Sequence, residues 1–412
     1  MKKIIVHCEQ EITQMALVEQ DQLVEFTSEN SQGRQLVGNL YKGRVVNVLP
    51  GMQAAFVDIG LKKNAFLYVD DVLHPHLEKQ PKIKPSISEL LQVGQEIVVQ
   101  VMKEPLGGKG ARVTTHYSLP GRWLVYMPHA DYIGVSKKIE LEAERLRLKH
   151  IGDHARLSGE GIILRTVAEG ESKEAIQSDL QLLRALWIQI EQRAAVSTAP
   201  VQLHQDLNII ERLVRDMFTS HTERVIIDDP VQGEQVASFL TQVSPEWSSR
   251  VQIYKGNEPI FQHYRIKEEL DRAYQHKIWL ENGGYLVFDH TEALTVIDVN
   301  TGKFIGSNTL EETVYETNIQ AAKEIARLLR LRDIGGIIII DFIDMNVERH
   351  RQDILDMLEQ WMKNDRTKHL ILGWTKLGLL EMTRKKVRDH ALNSFLEPCN
   401  TCKGTGTVFT KR

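Results

Sequence analysis

Leu294-Thr-Val-Ile-Asp298-Val-Asn300 and Ile337-Ile-Ile-Ile-Asp341-Phe-Ile-Asp344 decide the fold. Each is an apolar run of strand length that reaches an aspartate. Between them, Thr309-Leu-Glu-Glu312 has the form of a capping box. Val314, Ile319, Ala322, Ile325, Ala326 and Leu329 follow at helical spacing, Arg327, Arg330 and Arg332 fall in the last turns, and Gly335-Gly336 ends the run. Strand, helix, strand is a βαβ unit, whose crossover makes the two strands parallel. Parallel neighbours lie ~4.8 Å apart, so Asp298 and Asp341 are expected at one carboxyl edge, where open α/β sheets place their chemistry. Carboxylates that close repel unless a proton or a cation sits between them. Oxygen donors of this kind suit Mg²⁺ or Mn²⁺, and Asn300 adds a neutral amide on the same side. A strand-ending aspartate is often just a turn former. Two of them on adjacent strands, beside an asparagine, point to a hard-metal centre.

The rest of the chain bounds what such a centre serves. At 412 residues it is too long for one ordinary core, and roughly two to four domains are expected. No apolar run reaches the ~20 residues of a membrane span, the start Met1-Lys-Lys-Ile-Ile-Val-His-Cys8 has no signal-peptide pattern, and three cysteines suit a reducing cytoplasm. The net charge of −4 is not that of a generic nucleic-acid binder. Residues 327–412 nevertheless carry 16 Lys/Arg against 11 Asp/Glu, a local excess of +5 that favours a polyanionic substrate if the bases share a face.

Residues 1 to about 34 alternate like a hairpin. From 36 to 115 come five short strands, among them Leu40–Leu49, Ala54–Gly60, Ala65–Val69 and Val93–Val101, as in a small β-barrel. Its Phe56, Phe66 and Tyr68 could stack bases, and Lys42, Arg44, Lys62, Lys63, Lys109 and Arg112 could follow phosphates, as in single-strand binders; a lone barrel phenylalanine more often packs in the core. Strands and helices mix from 116 to 210, with a helix from Lys173 to about Ala194 and a linker-like Ser197-Thr-Ala-Pro200. Between 211 and 273 we expect a helix over 208–218, strands over 224–228 and 251–254, a turn at Asp228-Asp229-Pro230, and a helix around 263–276. Cys8 is expected in the core. Cys399-Asn-Thr-Cys402 presents two thiolates where a structural zinc needs four ligands. A second subunit could supply the rest about a two-fold axis; a redox pair or two idle thiols are the alternatives.

Taken together, these residues resemble the ribonuclease E/G family of bacterial endoribonucleases over essentially the whole chain. The resemblance is carried by Leu40-Tyr-Lys-Gly-Arg44, Ala54-Ala-Phe-Val-Asp58, Arg165-Thr166, the stretch from Glu292 to Asn300, Leu329 to Gly336, Asp341 to Met345, Gly378 to Arg384 and the knuckle from Cys399 to Thr407. It implies an α/β multidomain chain: an RNase-H-like subdomain in two parts (1–35 and 211–273), interrupted by an OB-fold RNA-binding domain (36–115) and a 5′-sensor subdomain (116–210). A deoxyribonuclease-I-like catalytic subdomain (274–396) and a zinc-link knuckle and tail (397–412) follow. Asp298 and Asp341 match the family's Mg²⁺ ligands and Asn300 its catalytic asparagine, while Lys368 stands where an arginine is usual. Phe56, Phe66 and Lys109 match RNA-contacting residues. Gly121, Val125, Lys137, Arg165 and Thr166 match the pocket for a 5′-monophosphate, with Lys137 again in place of an arginine. Cys399 and Cys402 match a Zn²⁺ link between two protomers. The family continues beyond the knuckle into a small domain, so a zinc-linked homodimer is expected here and a tetramer is not. The implied activity is Mg²⁺-dependent cleavage of single-stranded, A/U-rich RNA, stimulated by a 5′-monophosphate, in processing of ribosomal and other RNA in the cytoplasm. The alternative is an RNA-binding protein of the same fold with little or no turnover.

Overall fold

A computed structural model of the chain describes residues 2–9, 12–30, 36–74, 84–105, 109–207, 209–218, 222–243, 245–291, 293–303, 309–386 and 401–402. They fall into two compact units, Met1–Asn30 with His221–Gln235 and Ser249–Arg412, and Ser31–Ser220 with Val236–Ser248. The fold is mixed α/β and contains a closed five-stranded β-barrel.

The first unit is built on two sheets. In the larger one the strands run Lys277–Trp279, Tyr285–His290, Leu294–Asn300, Gly336–Asp341, Leu380–Arg384, His369–Trp374. Leu294–Asn300 and Gly336–Asp341 pair in parallel, with Asp298 directly opposite Asp341; the other pairings are antiparallel. The crossover between them is the helix Leu310–Leu331, and the Thr309–Glu312 capping box forms at its start. Alternation then sorts the sheet's faces. Leu286, Phe288, Ile297, Val299, Ile338, Ile340, Leu380 and Met382 share one core with Ala322, Ile325 and Leu329 of that helix and with Ile354 and Leu358 of Glu348–Met362. Each such leucine or isoleucine contributes about 1.5–3 kcal/mol by burial. The intervening residues, Asp298, Asn300 and Asp341 among them, lie on the other face.

The arginines that close the Leu310–Leu331 helix are also buried connectors. Arg327 pairs with Glu324 and donates to the Leu23 carbonyl at 2.7 Å. Arg330 reaches Glu19 at 3.2 Å and Glu25 at 2.9 Å, and Arg332 donates to the carbonyls of Ala273 and Gln275. With Arg384 buried against Asp365 and Asp333, three of the basic residues in the counted excess are neutralised internally, and Arg332 is spent on buried carbonyls.

The smaller sheet joins a meander, Lys2–Glu9, Ile12–Glu19 and Gln22–Asn30, to Thr222–Ile227, which is parallel to the first strand, and then to Val251–Ile253. A hairpin was expected; the third strand, Gln-Leu-Val-Glu-Phe-Thr-Ser-Glu-Asn, is too polar to announce itself. The turn at Asp228-Asp229-Pro230 opens a helix, Pro230–Val243, because Asp229 Oδ1 accepts the Gln232 N–H at 2.8 Å and proline suits a first helical turn. The expected helix around 263–276 is two pieces, Ile260–His263 and Ile266–Ala273, broken where Arg265 takes φ 54°. Cys8 is half-buried, its N–H bonded to Asp228 at 2.9 Å; burial first, then the charges of Asp228 and Asp229, push its thiol up to about 12.

In the second unit the barrel strands are Leu40–Leu49, Ala54–Asp58, Ala65–Tyr68, Arg112–Thr114 and Glu96–Lys103, the last closing onto the first. Val45, Ala55, Val57, Leu67, Val99, Val101 and Val113 fill it. The order and the single parallel pair, Ala65–Tyr68 with Arg112–Thr114, make it OB-like. The Ser197–Pro200 stretch is no loose linker. Lys42 donates to the Ser197 carbonyl and Arg44 to that of Ala199, and Val201–His204 pairs with Leu40–Leu49. A four-stranded sheet follows in the order Ile133–Val135, Gly161–Leu164, Leu124–Met127, Leu119–Pro120. The helix Lys173–Val196 packs on it through Ile176, Leu180, Leu183 and Trp187. Glu142–Ala155, a helix with buried side chains at just Leu148 and Ile151, was not anticipated.

Candidate functional site

Register puts Asp298 and Asp341 side by side at the carboxyl ends of two parallel strands. Asn300, two residues along the same face, donates its Nδ2 to Asp298 Oδ2 at 2.7 Å. Asp298 and Asn300 are half-buried, and Asp341 and Asp344 are exposed. Desolvation by the surrounding rim, then the charges of Asp298 and Asp344, raise the Asp341 carboxyl above its ordinary value. The chain beyond Asp341 is held by Asn318, which is fully buried and bonds both polar groups of the Ile343 backbone, at 2.8 and 3.1 Å. Asp344 is thereby held beside the hairpin between the last two strands, where a Cβ on Gly378 would come within 3.9 Å of its Oδ1. Crowded anionic oxygens with one neutral amide make a donor set for a hard divalent cation, which is satisfied with one or two carboxylates and retained water. Among the described residues no group of three or more His, Cys, Asp or Glu side chains is arranged to hold a metal by itself.

Lys368 is not brought to this rim. His369 pairs with Arg384, and Arg384 with Gly336 at the start of the strand that ends in Asp341. Lys368 therefore lies roughly 16 Å away, five residues at ~3.3 Å each, at the opposite end of the sheet. A lysine on the aspartate side is Lys376, exposed in the hairpin turn before Leu380, the partner of Ile340. Sequence reasoning passed over both Asp344 and Lys376. The spacing Asp341-x-x-Asp344 was a usable signal; the hairpin that returns Lys376 was not.

On the barrel, Phe56 and Phe66 are direct cross-strand partners. Their rings stand edge to face at 5.9 Å, half-buried on the outer side of strands whose alternate residues fill the core. Lys109 is exposed next to Gly110, where any Cβ would meet the Asn64 carbonyl oxygen at 1.9 Å; the close approach sets Lys109 near the start of the Phe66 strand. Lys62 and Lys63 are also exposed. Lys42 and Arg44 are instead paired with Glu96 and Arg112 with Asp71, so these three serve the barrel's own structure.

Gly121, Val125, Lys137, Arg165 and Thr166 come together at one end of the four-stranded sheet. Leu124 pairs with Leu164 and Val125 with Ile163, while Val135 runs parallel to Leu164. The Thr166 hydroxyl lies 2.7 Å from that of Ser136, next to the exposed Lys137. The Arg165 guanidinium already donates to the Gly121 carbonyl at 2.7 Å and to Asp216 at 2.6 Å. Asp216 also pairs with Arg215; burial raises its carboxyl pKa, but the two arginines outweigh this and hold it below the ordinary value. Gly121 is required sterically, since a Cβ would lie 2.6 Å from Asp179 Oδ2, the acceptor for the Trp123 N–H. Asp179 and Asp216 escaped the sequence reading because nothing local links them to this sheet.

Cys399 lies outside the described residues, and Cys402 is half-buried in a turn. Among the described residues no helix is long and apolar enough to cross a membrane.

Residues 118–387 match the model of the Ribonuclease E/G family. Ribonuclease G of Salmonella typhimurium (strain SL1344) is 44% identical over 99% of this chain and 84% of its own length. Ribonuclease G of Haemophilus influenzae is 44% identical over 97% and 82%. Ribonuclease E of Escherichia coli (strain K12) is 37% identical over 99% of this chain and 39% of its own. With a family match over more than half its length and such relatives along nearly all of it, the chain belongs to the ribonuclease E/G family.

Proposed function

We propose that this chain is a Mg²⁺-dependent endoribonuclease of RNA processing that cuts single-stranded, A/U-rich RNA in the cytoplasm and is stimulated by a 5′-monophosphate. The observation that carries the reading is the pairing of Asp298 with Asp341 beside Asn300, in a chain whose relatives are named ribonucleases. The reaction is hydrolysis of a phosphodiester. Water adds to phosphorus, the bond to the 3′-oxygen breaks, and the products carry 5′-phosphate and 3′-hydroxyl ends.

Asp298 and Asp341 would hold the cation, which when bound polarises a phosphoryl oxygen and lowers the pKa of water. Asn300 has one N–H fixed on Asp298. Its second N–H and its carbonyl oxygen, which bond nothing else among the described residues, are aimed by that contact and can orient a phosphate oxygen or the attacking water. Asn318 keeps the Asp341–Asp344 segment from shifting as the strand binds. Lys376, at the aspartate end of the sheet, would meet the phosphate backbone at this rim where Lys368 would not. Phe56, Phe66 and Lys109 would hold bases and a phosphate on the barrel, and Arg165, Thr166 and Lys137, with Gly121 and Val125, a terminal phosphate.

In this reading the first unit comprises the deoxyribonuclease-I-like part and most of the RNase-H-like part, and the second comprises the OB and 5′-sensor parts together with residues 211–220 and 236–248. Cys399 and Cys402 would share a Zn²⁺ with the same pair in a second copy. The test is cleavage of a fluorescent A/U-rich oligomer, with 5′-monophosphate or 5′-hydroxyl, in Mg²⁺ and in EDTA, by the parent and Asp298→Asn. Cutting that needs Mg²⁺ and disappears in the variant is expected. Binding without cutting would favour an RNA-binding protein, and equal cleavage by the variant would remove the metal site.

A further inference from the structure

The face that carries Asp298 and Asn300 continues across two more strands to an aromatic pair. Tyr285 is the direct partner of Asn300, and Trp279 the direct partner of Tyr285. Cross-strand partners share a face, so Trp279, Tyr285 and Asn300 form one row, with Val287 and Asp298 in the next. The two rings stand edge to face at 5.3 Å. The Lys277 ammonium lies 3.4 Å from the phenol centroid and 4.5 Å from the indole centroid. Trp279 is 45% exposed, although burial of so large an apolar side chain would be strongly favourable. The loop after Asn300 closes onto the pair: Gly302, at φ +60°, approaches so near that a Cβ would meet Tyr285 Cδ1 at 3.0 Å.

We infer that Trp279 and Lys277 form a stacking subsite for a nucleotide next to the scissile phosphodiester, fixing which bond of a single strand reaches Asp298 and Asp341. The inference rests on the proposed nuclease reading and adds a positioning surface to it. An exposed indole offers a π-face to a base, and the ammonium beside it offers a charge to that nucleotide's phosphate. Two strand spacings, ~10 Å, separate Trp279 from Asn300, the reach of a neighbouring nucleotide. Because stacking tolerates every base, the subsite sets the register of the cut more than it selects sequence.

The test uses an RNA oligomer with one dominant cut site and a set in which each flanking nucleotide in turn is abasic. The parent, Trp279→Ala and Trp279→Phe are compared by cleavage in Mg²⁺ and by equilibrium binding in EDTA. The expected result is that one abasic position costs the parent about tenfold. Trp279→Ala should lose the same factor on intact RNA and lose nothing more on that abasic oligomer, and Trp279→Phe should recover most of it. The inference is overturned if Trp279→Ala keeps the parent's sensitivity at every position, or if it alters the protein's sedimentation and leaves RNA binding untouched, which would mark a protein-docking face. If the parent cuts nothing but its binding shows the Trp279-dependent loss, the nuclease reading falls and the stacking subsite stands.

Discussion

The Asp298–Asp341 rim and the Arg165 rim are both built at strand ends, yet they stand in opposite electrostatic states. At the first, two aspartates lie side by side with a single amide bonded to one of them, and desolvation, then the charges of Asp298 and Asp344, raise the Asp341 carboxyl. At the second, the arginine is already met by a carboxylate and a carbonyl. A cation entering the first rim relieves repulsion. An anion entering the second must compete with Asp216. In the proposed reading the first would take a cation and the second a phosphate in competition with Asp216, which teaches that a charged motif in sequence does not reveal whether its charge is available.

Five changes break or sharpen this contrast. Asp298→Asn should lower cleavage by at least about a thousandfold, since the electrostatic stabilisation lost is worth several kcal/mol. Its melting temperature should hold or rise, because repulsion with Asp341 is removed; a large fall in melting temperature would make Asp298 a structural residue. Asp365→Ala, in the same unit but away from the rim, should instead cost stability, about 1–3 kcal/mol in urea unfolding, because it leaves the buried Arg384 with Asp333 as its remaining carboxylate.

At the other rim, Arg165→Ala should abolish the ratio of kcat/KM for 5′-monophosphate over 5′-hydroxyl RNA. Asp216→Asn should increase that ratio, by about ten- to a hundredfold if the guanidinium is freed for the phosphate. No response to Asp216→Asn would mean that the pairing does not compete with substrate. The smallest effect is on acid stability. Burial raises the Glu25 carboxyl, but Arg366 and Arg330 outweigh it and leave the pKa lowered. Its contribution is therefore present above the unfolded value, about 4.3, and is lost as pH falls through the lower folded value. Glu25→Gln should flatten stability against pH in that window, as read by thermal melts between pH 5 and 2.

The βαβ unit was legible because its signals are local. The Ile-rich run, the Thr309–Glu312 cap and Gly335-Gly336 each act within a few residues, and parallel register follows from the crossover alone. The barrel was legible for the same reason. What escaped depends on distant pairing. Lys277–Trp279 and Tyr285–His290 are ordinary short strands until Asn300 is placed beside Tyr285. Lys368 looked like a site residue because the family resemblance puts it where an arginine is usual, whereas the helix Glu348–Met362 takes the chain back and leaves Lys368 at the start of His369–Trp374, at the far end of the sheet. The Glu142–Ala155 helix buries too little for its periodicity to stand out.

The first strand of the chain also has a consequence in time. Lys2–Glu9 takes its parallel neighbour from Thr222–Ile227, and 190 residues, Ser31–Ser220, lie between the two pieces of this unit. At ribosomal rates of about 5–20 residues per second, the opening meander leaves the exit tunnel some 10–40 s before that neighbour exists. During translation the outer edge of Lys2–Glu9 must stay unpaired while the intervening chain collapses into its own barrel, so this meander is a stretch that gains from a chaperone's cover.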